Sequence, residues 1–276
     1  MRRVSEVIGK VRLRDLRADH VEKVRERLLT SGLAPQTVSD VLRVLSQALG
    51  RAEARGLAKN WAAASIVSRP VGAKPTFTTI DRALGQQILA AVVGTDPWDA
   101  AAHLALGLGL RREEILALRW ADVSDIVKVH RVLTWTEGEY HVGPPKSEAG
   151  EREIPVPAFV ATALKRHRAA QGERLLSIGL QPELVVDAGI GQPWMPASFS
   201  TGWRRFAKTR GFEGITFHGL RHGAATLLLA AGVPDSVALE VMGHADTRIL
   251  RHYQEVVDEL KRDAAEKMDD LLGGQA

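Results

Sequence analysis

Two arginine-containing segments of this sequence have the residue types and spacing that phosphate chemistry requires. In the first, Gly109-Leu-Arg-Arg-Glu-Glu114, the glycine breaks one helix and the two carboxylates begin the next, where they favour the helix N-terminus. Arg111 lies at that junction, from which its guanidinium could face a cleft. The segment therefore predicts either an anion-binding arginine or a capped amphipathic helix with solvated arginines.

The second segment, Phe217-His-Gly-Leu-Arg-His222, begins an apolar helix. His218 and His222 are four residues apart and share a helix face, as a metal pair or as part of a phosphate site. The glutamate that zinc protease helices carry between their histidines is missing, and the sequence has no cysteine. The pattern therefore favours a phosphate site with Arg221 as a bidentate fork and His218 as a further donor, with a structural helix start as the alternative.

Three further side chains, taken singly, give only a weak indication of function. Lys146 lies in a polar loop between two stretches that read as strands, and alone it predicts a solvated lysine. His244 follows Gly243, and Tyr253, one of only two tyrosines, comes nine residues later. A free phenol has a pKa of about 10, so a nucleophilic tyrosine would need nearby cations or a base.

The elements that must position these residues are mostly helical, because apolar residues recur three and four apart along most of the chain. Residues 126–133, 140–142 and 152–156 read instead as extended, and we expect the last two to pair as a long hairpin through the Lys146 loop. The predicted helices are two between residues 19 and 56, then 84–92, 99–108, 113–118, 158–170, 197–209, 219–231, 235–242 and 247–269. The predicted fold class is mainly α with a small antiparallel sheet.

Charge and composition divide the chain into two parts. Residues 1–75 hold 15 lysines and arginines against 7 acidic residues, whereas residues 76–276 hold 22 against 26. We therefore predict a basic helical domain over 1–69, a linker rich in proline and glycine over 70–77, and a larger domain over 78–276. Such asymmetry indicates a polyanion partner for the first domain or a solvated basic surface. The arginines that lie off the apolar face of its second helix are Arg43, Arg51 and Arg55.

Composition also excludes several classes of protein. Without cysteine, the 276-residue sequence has no disulfide framework, no cysteine zinc site and no thiol nucleophile. No apolar run approaches about 18 residues, so we expect no membrane span. No apolar core follows the basic N-terminus, so no signal peptide is expected and the predicted location is the cytoplasm.

Taken in order, the segments resemble the tyrosine recombinase (phage integrase) family. That family carries a Gly-Leu-Arg-x-x-Glu segment, a lysine in a β-hairpin, a His-x-x-Arg-His helix start, a Gly-His pair and a terminal tyrosine. The likeness covers about residues 80–256, and residues 1–69 resemble the family's helical core-binding domain more loosely. The matching residues in this sequence are Arg111, Glu114, Lys146, His218, Arg221, His222, His244 and Tyr253.

The resemblance implies that the protein cuts and rejoins DNA through a 3′-phosphotyrosyl intermediate. Tyr253 is the expected nucleophile, Lys146 the general acid for the leaving 5′-oxygen, and His218 the acid/base partner of the tyrosine. No metal and no other cofactor is expected, because arginines neutralise the phosphate and the phosphotyrosyl bond keeps the energy of the broken phosphodiester.

The remaining matched residues have supporting roles in this resemblance. Arg111, Arg221 and His244 are expected to stabilise charge in the transition state. Glu114 is expected to orient one of the cations. His222 is expected to support the residues that contact the phosphate without contacting it itself.

The resemblance also implies partners. These are double-stranded DNA with specific core sites, a homotetramer on that DNA, and an accessory directionality factor or host DNA-bending protein. We expect the protein to associate with the nucleoid when bound and to serve integration or excision of a phage or mobile element. Residues 256–272 are expected to dock on a neighbouring protomer, with packing on their own protomer as the alternative. The alternatives are a dimer resolvase of the same family, a DNA-relaxing topoisomerase or telomere-resolving enzyme with related chemistry, and a non-catalytic DNA-binding relative.

The sequence departs from the family pattern at several places. Residue 223 is glycine where serine or threonine is more usual, and the Lys146 loop is acidic, with Glu148, Glu151 and Glu153. No threonine stands three or four residues before Tyr253. The sequence has no room for an additional arm-binding domain, which leads us to expect a compact integrase or a truncated chain.

Overall fold

The computed structural model describes residues 2–71 and 78–243, and the chain divides into two compact units, Met1–Thr76 and Phe77–Ala276. Each unit has its own hydrophobic core. Most described residues that have regular structure are helical, and the described strands form short antiparallel pairs. The predicted fold class, mainly helical with a small antiparallel sheet, is therefore confirmed.

The described helices of the first unit are α1 (Arg2–Ile8), α2 (Ala18–Thr30) and α3 (Pro35–Glu53). Pro35 occupies the first turn of α3, where its missing N–H leaves no hydrogen bond unmade. Apolar residues of α2 and α3 recur three and four residues apart, and most of them are buried in one core, although Val44 and Ala48 of α3 are exposed. These buried residues are Val21, Val24, Leu28, Val38, Leu42, Leu45 and Leu49.

The arginines singled out in the first unit lie on its surface. Arg43 and Arg51 are exposed on α3, and Arg55 is exposed in the turn that follows it. Arg43 forms an ion pair with Asp40 one turn earlier, which partly neutralises it. The exposed arginines thus lie off the buried face of α3, as the spacing predicts, and their contact with DNA stays a prediction.

The second unit is built around a helix that is buried on all sides. Its described helices are α4 (Arg82–Val92), α5 (Trp98–Gly107), α6 (Arg112–Ala117), α7 (Ala158–Leu176), α8 (Pro196–Thr209), α9 (Phe217–Ala230) and α10 (Asp235–Met242). Helix α5 packs against α4, α7 and α9, and its residues from Trp98 to Leu106 are buried. The segment 109–111, which follows α5 and leads into α6, contacts α9 and the end of α10.

Two antiparallel strand pairs complete the described part of the second unit. Strand β1 (Ile126–Val129) pairs with β4 (Arg152–Pro155), and β2 (Val132–Thr136) pairs with β3 (Glu139–Gly143). The prediction that the two strands flanking Lys146 pair with each other is therefore wrong. Glu137 and Gly138 both have positive φ, 55° and 90°, which is the geometry of a tight two-residue hairpin turn. That turn pairs β3 with β2, and the break at His130-Arg131 leaves β1 to pair with β4.

Candidate active site

Glu114 is the centre of the candidate site. Its side chain is only 1% exposed, near the start of α6. The backbone N–H of Arg111 donates to Oε2 of Glu114 at 2.8 Å, and Nη1 of Arg111 donates to Oε1 at 2.7 Å. One carboxylate thus caps the helix and holds the guanidinium that precedes it, as expected for an acidic residue at a helix N-terminus.

Arg152, which the sequence reasoning missed, also holds this carboxylate. It lies at the start of β4 with a side chain 5% exposed, and its Nη1 and Nη2 lie 3.1 and 2.9 Å from Oε1 and Oε2 of Glu114. The sequence showed it only as the first residue of a strand. The one signal that could have indicated it is general: a buried glutamate requires a cation as its partner.

The two arginines keep Glu114 ionised. Burial alone would raise the pKa of the carboxyl group, since it penalises the charged form. The hydrogen bonds and charge of Arg152, followed by the bonds from Arg111, outweigh that effect and hold the pKa of Glu114 below its ordinary value. The carboxylate therefore stays charged and can orient both guanidinium groups.

The C-terminal end of α10 receives three guanidinium groups on three successive carbonyls. Arg152 Nε donates to the carbonyl of Val241 at 2.8 Å, Arg221 donates to that of Met242, and Arg111 Nη2 donates to that of Gly243 at 2.8 Å. Gly243 ends the helix with a left-handed φ of 61°. These carbonyls lie at the negative end of the helix and have no partner within it, so cations are their natural partners. The residue that follows this end is His244.

Arg221 is the most deeply buried arginine of the site. Its side chain is 3% exposed on α9, and besides Met242 it donates to the carbonyl of Gly109. Its Nη1 lies 4.0 Å from Oε2 of Glu114. Gly109 has a φ of 64°, and a Cβ there would lie 2.4 Å from the sulfur of Met242, so only glycine fits this close approach.

His218 and His222 lie at the start of α9 with their rings perpendicular and 4.6 Å apart. The His218 side chain is exposed and His222 is half-buried. Partial desolvation, followed by the positive charge of Arg221, holds the pKa of His218 below its ordinary value, and Arg112 and Arg111 act in the same direction. His218 is therefore neutral at pH 7 and able to accept a proton.

Lys146 lies in the connection between β3 and β4, and its side chain is exposed. It makes no hydrogen bond or ion pair with any other residue of the described part of the chain. The connection itself is tightly folded, since a Cβ on Gly150 would lie 2.4 Å from Cβ of Pro145. The backbone of this connection is therefore held in place by packing, while the ammonium group of Lys146 is exposed and available to a ligand.

The structure thus brings some of the predicted residues together. Arg111, Glu114 and Arg221 meet at the end of α10. His218 is close enough that the charges of both arginines lower its pKa. His244, Tyr253 and the tail 256–272 lie outside the described residues. Within residues 2–71 and 78–243, no three histidine, aspartate or glutamate side chains are grouped as a metal site would require.

The glycine at position 223 has a packing reason. A Cβ at this place on α9 would lie 2.8 Å from Cβ of Ile80 and 3.1 Å from a methyl carbon of Leu106. Ile80 is buried in the core of the unit. The departure from serine or threonine at Gly223 therefore lets α9 approach α5 and Ile80 closely.

Comparison with known proteins identifies the family. The sequence profile of the phage integrase family matches residues 86–259. An integrase of Saccharopolyspora erythraea is 24% identical over 93% of this chain and 71% of its own length. The chain spans about half the length of other curated relatives, 48% and 46% in two of them. The chain therefore belongs to the phage integrase family, whose members are tyrosine recombinases.

Solved structures share the fold. The Tn1549 transposon integrase in complex with a circular intermediate DNA superimposes with a TM-score of 0.76 at 19% identity, covering 95% of this chain and 91% of that one. A lambda integrase tetramer bound to a Holliday junction superimposes with a TM-score of 0.57 at 20% identity, covering 85% and 66%. The likeness to these proteins establishes the tyrosine recombinase fold.

Proposed function

We propose that this chain is a site-specific recombinase that cuts and rejoins duplex DNA to integrate or excise a mobile element. One observation carries the proposal. Arg111 and Arg221, which are 110 residues apart, converge on Glu114 and on the helix end that precedes His244. A pair of guanidinium groups fixed from distant segments is what a phosphoryl-transfer site needs for charge stabilisation.

The proposed reaction conserves the number of phosphodiester bonds. The phenolic oxygen of Tyr253 attacks the scissile phosphorus in line, a bond from tyrosine to phosphorus forms, and the bond from phosphorus to the 5′-oxygen breaks. His218 accepts the phenolic proton and Lys146 gives a proton to the leaving 5′-oxygen. A 5′-hydroxyl then attacks the phosphorus of the phosphotyrosyl group. The phosphodiester bond forms again, the bond from phosphorus to tyrosine breaks, and Tyr253 is released. No oxidant, reductant or nucleotide is consumed.

Arg111 has the exposure that a phosphate contact requires. Its side chain is 31% exposed, and in the described structure its guanidinium donates one bond each from Nη1 and Nη2. A guanidinium has five N–H donors, so donors remain for the non-bridging oxygens of a phosphate. Glu114 and the carbonyl of Gly243 fix its plane, which removes the cost of ordering it when charge develops.

The first unit supplies the expected DNA-binding surface. Arg43, Arg51 and Arg55 are exposed, and the excess positive charge of the chain lies in residues 1–75. Affinity that rests on such phosphate contacts falls steeply as salt rises. A homotetramer on DNA, an accessory directionality or DNA-bending factor, and a nucleoid location are part of the same proposal. In the described ranges, no helix combines the length and apolarity needed to cross a bilayer.

Trapping the covalent intermediate tests the proposal. The protein is incubated with a plasmid library of randomised duplex segments, denatured rapidly, and the DNA ends attached to protein are sequenced. The recovered sequence is then placed in a nicked duplex whose short 5′-hydroxyl fragment diffuses away after cleavage. We expect a 3′-linked adduct from the unmodified chain and none from Tyr253→Phe. Adducts from both proteins, or from neither, would contradict the proposal.

The same plasmids separate the alternatives. A topoisomerase would relax supercoiled plasmid without any site requirement, whereas the proposed recombinase cuts at a recurring sequence. A non-catalytic relative would bind the recovered DNA without forming an adduct. Two-site plasmids carrying the recovered sequence then distinguish exchange between sites, which we expect, from cleavage and resealing at one site.

A further inference from the structure

Arg152 connects three segments of the second unit that are far apart in the sequence. Nη1 and Nη2 bind the carboxylate of Glu114, Nη1 also donates to the carbonyl of Gly150 at 3.0 Å, and Nε donates to the carbonyl of Val241. All three guanidinium nitrogens are therefore used. The side chain is 5% exposed and Glu114 is 1% exposed, so these bonds are shielded from water.

Each of the three segments leads to a residue of the proposed reaction. Glu114 holds Arg111, Gly150 ends the 3₁₀ turn that follows Lys146, and Val241 lies three residues before His244. From this juxtaposition we propose that Arg152 is a positioning residue of the reaction, which fixes Arg111, the Lys146 loop and the end of α10 relative to one another. The inference rests on the proposed function and names a residue that the family likeness did not assign.

The fit around Arg152 demands a planar fork. A Cβ on Gly243 would lie 2.7 Å from Nη1 of Arg152 and 2.9 Å from the carbonyl oxygen of Ala149, so the helix end and the loop are packed directly on the guanidinium. A lysine keeps the positive charge beside Glu114, but its three donors radiate from one nitrogen and do not match acceptors that Nε, Nη1 and Nη2 of the arginine reach separately. Lysine at this position should therefore restore part of the function.

The chain offers a matched control in the same unit. Arg166 on α7 binds the buried carboxylate of Asp99 with Nε at 2.7 Å and Nη2 at 2.8 Å, and Asp99 is 2% exposed. Like Arg152, it is an arginine fork on a buried carboxylate. Unlike Arg152, it has no bond to α6, the Lys146 loop or α10 in the described structure. Arg166→Gln thus reports the effect of losing such a pair on folding alone.

The test compares Arg152→Gln, Arg152→Lys and Arg166→Gln in the full chain. Each variant is measured for thermal stability, for affinity for the recovered recombination site, and for the single-turnover rate of adduct formation on the nicked duplex. We expect Arg152→Gln to slow adduct formation by about 100-fold, the scale on which a misplacement of about 1 Å lowers a rate. Arg152→Lys should be slowed less, Arg166→Gln should react at the unmodified rate, and DNA affinity should hold in all three.

A second measurement separates positioning from proton donation. A substrate with sulfur in place of the bridging 5′-oxygen has a better leaving group that needs no general acid, so it should rescue Lys146→Ala but not Arg152→Gln. A double-mutant cycle with Glu114→Gln should show strong coupling, because Arg152 acts through that carboxylate. Additive losses in the cycle, or rescue of Arg152→Gln by the sulfur substrate, would overturn the inference.

The failures of the two proposals are distinguishable. If the unmodified chain forms no adduct, the proposed function fails and the role of Arg152 fails with it. If the unmodified chain and Arg152→Gln react at equal rates, only the role of Arg152 fails. If Arg152→Gln does not fold, Arg152→Lys decides: a rate equal to that of the unmodified chain overturns the inference, and a reduced rate at unchanged DNA affinity supports it.

Discussion

Two buried carboxylates in the second unit have the same chemistry but different surroundings. Glu114 is held by Arg111 and Arg152, and Asp99 is held by Arg166 and His103. Both keep a pKa below the ordinary value even though burial opposes it. The side chains that bind Asp99 lie on α5 and α7. The two arginines that bind Glu114 also donate to carbonyls at the end of α10.

The comparison shows what distinguishes a structural ion pair from one that organises a site. The Asp99 cluster joins neighbouring helices: Oδ2 also accepts the N–H of Gly94 at 2.8 Å, and its bonds join the end of α4 to α5 and α7. In the Glu114 cluster, Arg111 and Arg152 also bind the end of α10, where Arg221 donates to the carbonyl between theirs. Burial, a lowered carboxyl pKa and a partly exposed arginine are common to both clusters, since Arg166 is 36% exposed and Arg111 is 31% exposed. The convergence of three arginines from distant segments on one helix end is what distinguishes the Glu114 cluster.

The largest effect should come from removing Arg111, the most exposed arginine of the Glu114 cluster. Arg111→Gln keeps a planar polar side chain but loses the charge, and we expect adduct formation to slow by about 10²- to 10³-fold, as when one transition-state donor is removed. DNA affinity should change little. A methylphosphonate at the scissile position, which removes the charge that Arg111 neutralises, should reduce the difference between variant and parent. An unchanged difference would show that Arg111 does not face the phosphate.

The second effect concerns the proton acceptor. Because the pKa of His218 is lowered from about 6.5, the imidazole is neutral at pH 7 and becomes protonated only as the pH falls through a lower value. The adduct rate should therefore be flat near neutrality and fall with an inflection below about pH 6.5. His218→Gln should be slower by about 100-fold and lack that inflection. Retention of the inflection in the variant would assign it to another group.

A smaller effect should follow from disturbing the end of α10 through its neighbour. Gly109→Ala places a Cβ at a φ of 64° and 2.4 Å from the sulfur of Met242, so we expect a loss of about 1–2 kcal/mol from the backbone, a further loss from displaced Met242, and slower adduct formation. Gly232→Ala is the control, since its φ is 73° and nothing lies within 4 Å. It should lose only the backbone part, and denaturant unfolding with rate measurements checks both. Equal effects of the two substitutions would contradict the close packing.

The smallest effect on the reaction should come from the Asp99 cluster, which has no bond to the end of α10 in the described structure. Arg166→Gln should lower the free energy of unfolding by about 1–3 kcal/mol by leaving Asp99 poorly paired, and leave the adduct rate of folded protein unchanged. The lowered pKa of Asp99 means that its stabilisation is full above about pH 3.9 and is lost as the pH falls through the folded-state value. The stability difference between parent and variant should therefore shrink in acid. A difference that grew below pH 4 would contradict the pairing.

The helices of the second unit could be predicted from the sequence because apolar residues recur along it with the helical period. The boundaries of α4, α5, α8 and α10 lie within about two residues of the prediction, which is the usual uncertainty of helix ends. The strands were harder. Their pairing depends on the two-residue turn at Glu137-Gly138, and a Glu-Gly pair is a weaker hairpin signal than Asn-Gly or Asp-Gly.

The candidate site was partly readable for a different reason. Arg111 and Arg221 stand in motifs whose spacing has a local meaning at a helix start, and the resemblance supplied their order. Arg152 has no such motif, because its role comes from contacts with Glu114 and Val241 that lie 38 and 89 residues away. Contacts of that kind follow from tertiary packing, which a single sequence does not display.

The most direct test of the central claim is the identity of the residue that becomes linked to DNA. The adduct trapped on the nicked duplex is digested with protease and nuclease, and the modified peptide is sequenced by mass spectrometry. The account predicts a single peptide in which Tyr253 carries a 3′-linked nucleotide. A nucleotide on Tyr140 or on any serine or histidine, or a 5′ linkage at Tyr253, would contradict it.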